Sequence, residues 1–109
     1  MLASLSNEAQ IARQLHELSC APTNFAGISG GILGKSRIMQ ALTGQKPFEP
    51  KDAERFLEIL AEMRALQSEI DVPLDWSRTD AVQNALLVRR IRRIAADVEK
   101  EKENVPVSI

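Results

Sequence analysis

Apolar residues recur along most of this chain at three- and four-residue intervals and make no strand pattern, so its core must be built from helices packed on helices. A first run, Ile11, Ala12, Leu15 and Leu18, predicts a helix over residues 8–19, entered through Asn7 and Gln10 in the manner of a capping box. Pro22 ends the connection and Thr23, as N-cap, opens a short helix reaching residue 28. A third helix spans about 33–43 and closes at Gly44. A fourth starts at Pro50 or Lys51, after two prolines three apart, and reaches residue 70. Its stripe is Ala53, Phe56, Leu57, Leu60, Ala61, Met63, Leu66 and Ile70. Ser77 and Asp80 form the capping box of a fifth, which meets no glycine or proline before Pro106. About 26 residues of helix is roughly 39 Å, too long for a domain of this size to bury throughout. The fold class is all-α with about five helices: a domain over 1–70, a linker over 71–77, and a C-terminal helix with its tail over 78–109.

With 109 residues and 4% aromatics, one modest core of aliphatic side chains is expected. One cysteine, Cys20, excludes an internal disulfide and fits a reducing compartment. One histidine, His16, leaves no Cys/His zinc set, and no spacing of nucleophiles, bases or paired carboxylates marks a catalytic site. The first residues lack the basic flank and apolar run of a signal peptide. The charge-free stretch 18–34 is broken by Pro22 and polar residues, so it does not span a bilayer. A cytoplasmic, non-enzymatic protein without cofactor or metal is expected. Val72, Leu74 and Trp76 are expected to pin the linker to the core.

The net charge of −1 predicts no polyanion partner, but its distribution says more. No acidic residue stands between Glu17 and Glu49, where Lys35, Arg37 and Lys46 make a window of +3; eleven other basic residues face all fifteen acidic ones elsewhere. Inside that window Gly30-Gly31-Ile32-Leu33-Gly34-Lys35-Ser36 has the tail of a phosphate-binding P-loop. Ser29 stands where that motif's first glycine belongs, and no strand leads in. The same residues fit a helix-turn-helix better: Ile38, Ala41 and Leu42 form an apolar face, while Lys35, Ser36, Arg37 and Gln40 cover the other. Lysine and arginine suit guanine edges and glutamine suits adenine.

Here the chain resembles the lambda-repressor-like (XRE/Cro-type) helix-turn-helix regulators. The resemblance is carried by Ser36-Arg37-Ile38-Met39-Gln40-Ala41-Leu42-Thr43-Gly44, the basic proline loop Gln45-Lys46-Pro47, and the amphipathic Ala53-Glu54-Arg55-Phe56-Leu57-Glu58-Ile59-Leu60. It covers about residues 7–66 and implies double-stranded DNA as partner. Base contacts would fall on Lys35, Ser36 and Gln40, and phosphate contacts on Thr23, Asn24, Arg37 and Lys46. From Ala26 to Gly44 the spacing exceeds the family's usual pattern by about two residues, so either the turn is expanded or the second helix extends through Ile28 and the register shifts.

In the last helix Leu87, Ile91, Ile94 and Val98, spaced four, three and four, make a short seam suited to a homodimer. Arg89, Arg90, Arg92 and Arg93 surround it. They are expected to cover apolar surface or pair with acids of the fourth helix rather than hold phosphate. The expected function is a sequence-specific transcriptional regulator, repressor-like and of phage or mobile-element type, acting as a homodimer. The alternative is a helical protein-interaction module that does not bind DNA.

Overall fold

A computed structural model describes residues 6–104 and is helical throughout: α1 Asn7–Leu18, α2 Pro22–Ile28, α3 Lys35–Leu42, α4 Pro50–Ser68 and α5 Thr79–Asn104. The expected tail beyond 104 and the opening residues 1–5 lie outside the described residues. Among the described residues no helix is long and apolar enough to cross a membrane.

The first three helices stop by one mechanism. Each runs into a residue in the left-handed region, Ser19 (φ 56°), Gly30 (φ 76°) and Gly44 (φ 82°). The two N–H groups that follow turn back onto orphan carbonyls: Ser19 and Cys20 on His16 and Leu15, Gly30 and Gly31 on Gly27 and Ala26, Gly44 and Gln45 on Ala41 and Gln40. Gly31 is also left-handed (φ 76°), so two successive positions after α2 exclude ordinary side chains.

The starts of the helices differ from expectation. Ser6, not Asn7, caps α1, its Oγ accepting from Ala9 N–H at 3.1 Å. Thr23 is not a cap: Ala21 holds that position in extended backbone, with Pro22 as the first helical residue, where its missing N–H costs nothing. Ser77 does not cap α5, because the helix opens at Thr79 and Arg78 stands at the flanking position; the Ser77 Oγ and backbone N–H both donate to the Asp75 carboxylate. Those two bonds, hydroxyl first, hold the Asp75 carboxyl below the usual range.

The core is one cluster. Phe56 of α4 lies at its centre, with Phe25 of α2 and Phe48 packed edge-on against it at 5.1 and 5.3 Å between centroids. Ile11, Leu15, Ile38, Leu60 and Met63 fill the space around them. Full burial of such a side chain contributes about 2 kcal/mol. Ala61, expected in the stripe, is exposed. Trp76 anchors the linker: it is buried, and its indole N–H donates to Leu18 O at 2.8 Å. Leu74 is half-buried with its N–H on Gln67 Oε1, whereas the Val72 side chain is 63% exposed and does not pin the linker to the core. Val82 carries α5 into the same core, but beyond Arg89 every residue with a described side chain is exposed.

Candidate nucleic-acid interface

Helix α3 sets its face by period. Ile38 and Ala41 point into the core, so Lys35, Ser36, Met39, Gln40 and Thr43 are left outside, all exposed. Ser36 and Gln40 stand one turn apart on the outermost line, flanked by Met39 and Thr43, while Lys35 lies about 100° round the helix from Ser36. Met39 and Thr43 gave no sequence signal of their own beyond that spacing; the Thr43 hydroxyl donates to Met39 O at 2.7 Å. The helix begins on Gly34, whose backbone is extended and supplies no side-chain cap, and its first turn has no acid. Amide N–H groups at the positive end of the helix are therefore left for solvent or an anion.

Arg37 is turned away from that line. Its Nη1 donates to Lys46 O at 2.9 Å and its Nη2 to Pro47 O at 2.6 Å, with Cζ 5.9 Å from the centroid of Phe48. It belongs to the scaffold of the loop after α3 as much as to its surface. Lys46 N–H is held by Gln40 O at 3.2 Å, and its side chain is exposed without an ion pair among the described residues. The structure thus joins Arg37 and Lys46 to the end of α3. Glu8 of α1 also reaches this loop, its Oε2 accepting from Phe48 N–H at 3.2 Å.

Thr23, exposed, and Asn24, half-buried, stand at the start of α2, and no hydrogen bond ties either to the α3 set among the described residues. Helix α2 extends through Ile28 and α3 starts at Lys35, so six residues, 29–34, join them. A helix leads into the Gly30–Ser36 string, which leaves a P-loop without its strand. Gln83 of α5 steadies the turn from outside, its Nε2 donating to Gly27 O at 2.6 Å.

The arginine knot of α5 divides. Arg89 spans Glu62 (2.9 Å) and Glu69 (3.0 Å), and Arg93 takes the other oxygen of Glu62 at 2.7 Å. Those two guanidiniums are thus committed to Glu62 of α4 and Glu69 just past its end, in line with the expected pairing with acids of the fourth helix. Arg90 and Arg92 make no ion pair among the described residues. Leu87, Ile91, Ile94 and Val98 line one exposed side of the helix, and Val88 beside them is exposed too.

Compared with protein-family models, curated proteins and solved structures, the chain matches none.

Proposed function

We propose that this chain is a sequence-specific DNA-binding transcriptional regulator that works as a homodimer, with α3 as the helix that enters the major groove. The observation that carries this reading is the exposed line Ser36–Gln40 on a helix with an acid-free, uncapped start. Lys35, Ser36 and Gln40 read base edges; Lys46, together with Thr23 and Asn24, contacts phosphate. Arg37 holds the loop that presents Lys46 and adds its charge to the same patch. Occupying a promoter is enough to repress it, and no catalytic chemistry is assigned. The buried free thiol of Cys20 suits the reducing cytoplasm.

Selection from random duplexes tests the reading. It predicts a palindromic site whose half-sites lie about one turn, ~34 Å, apart. Gln40→Ala is expected to relax the preference at one base pair per half-site while leaving most of the affinity. Failure to enrich any duplex would favour a helical interaction module instead, a reading supported by the exposed apolar side of α5.

A further inference from the structure

The seam on α5 is open. Leu87, Ile91, Ile94 and Val98 are each between 45% and 56% exposed, and Val88 beside them is 45% exposed. Their four-three-four spacing puts Leu87 and Ile94 on one line of a two-line stripe and Ile91 and Val98 on the other. The stripe extends toward the helix start through Asn84, which is exposed, and toward its end through Glu101, also exposed. It lies well over a quarter-turn from the side that meets α4, where Val82, Leu86, Arg89 and Arg93 stand.

The flanks of the stripe select its occupant. On one side stand Arg90 and Asp97, seven residues apart, a cation near one end of the seam and an anion near the other. On the opposite side stand Val88 and Ala95. Neither Arg90 nor Asp97 makes an ion pair among the described residues. We infer that α5 pairs with the α5 of a second copy in antiparallel orientation, about a twofold axis crossing the helix between residues 92 and 93.

In that register Ile91 meets the partner's Ile94, and Leu87 meets the partner's Val98. Arg90 lies beside the partner's Asp97 on one flank, twice by symmetry, while Val88 lies beside the partner's Ala95 on the other. At the ends Glu101 meets the partner's Asn84, a neutral amide able to donate to it. Parallel pairing in register keeps apolar layers but loses the Arg90–Asp97 and Glu101–Asn84 matches. Arg90 would then fall against Ala95, and Glu101 would face its own copy, two like charges at a seam position. A parallel pair is equally twofold, but only the reversed pair sets Arg90 beside Asp97 and keeps Glu101 away from its own copy.

This rests on the homodimer part of the proposed function, not on DNA binding, and sedimentation of the full chain without DNA tests it. Arg90→Asp and Asp97→Arg are each expected to raise the dimer dissociation constant roughly tenfold or more, because each sets like charges together twice. Mixed in equal amounts the two variants are expected to recover dimerisation, since each Asp at one position then meets an Arg at the other. Circular dichroism keeps loss of fold apart from loss of pairing. If neither variant weakens the dimer while Ile91→Glu abolishes it, or if the mixture stays as weak as its components, the antiparallel register is wrong although a homodimer stands. If the unaltered chain is monomeric at the highest concentration the ultracentrifuge reads, the pairing itself falls, and DNA binding stands or fails on its own assay.

Discussion

The guanidinium of Arg37 lies over the ring of Phe48, 5.9 Å from its centroid, while donating to the two carbonyls that precede it, Lys46 and Pro47. A planar fork with fixed donors suits that task, and an ammonium cannot copy it. Arg37→Ala is expected to cost about 1 kcal/mol of stability and to speed amide exchange at residues 46–48. Arg37→Lys should restore little of either. Unchanged exchange in both variants would show that the loop holds itself.

Gly27 is where α2 crosses the start of α5. A methyl group placed there would stand 3.0 Å from Thr79 Cγ2. Alanine is the better helix former by about 1 kcal/mol, yet Gly27→Ala is expected to be neutral or destabilising in urea titration because Thr79 must move. Combining it with Thr79→Ser, which removes that methyl, is expected to recover stability relative to Gly27→Ala alone. A gain from Gly27→Ala by itself would mean that α5 yields easily.

Burial pushes the Cys20 thiol up to about 11. Since the thiolate is the reactive form, alkylation in the folded protein is expected to be slow at pH 8 and to jump on adding denaturant. The folded-state value exceeds the ordinary 9.0, so the neutral thiol favours folding below pH 9 and that contribution fades as pH rises toward 11. Equal alkylation rates in folded and unfolded protein would contradict this.

The helices were legible because their apolar residues keep the helical period and because glycine and proline punctuate them. Caps were not, since Ser6 and Asn7 are equally able acceptors and only the backbone shows which one stands in extended conformation. Ser77 misled for a related reason: α5 opens at Thr79, one residue later than the capping box requires, and Ser77 instead closes a local turn on the Asp75 carboxylate. At the candidate interface, spacing placed Lys35, Ser36, Arg37 and Gln40 together on the face opposite Ile38, Ala41 and Leu42. It could not show that Arg37 bonds carbonyls nine and ten residues away, nor that Met39 shares the exposed face. The pairing of Arg89 and Arg93 with α4 was readable as charge pattern, but its register on Glu62 and Glu69 depends on how two helices pack.

Duplex affinity measured against salt tests the central claim most directly. If α3 and Lys46 engage DNA, the logarithm of the association constant falls linearly with the logarithm of salt concentration. Lys46→Ala should then reduce the slope by about 1.8, one phosphate's share from each protomer of the dimer. Absence of duplex binding at low salt, or an affinity indifferent to salt, would contradict the account.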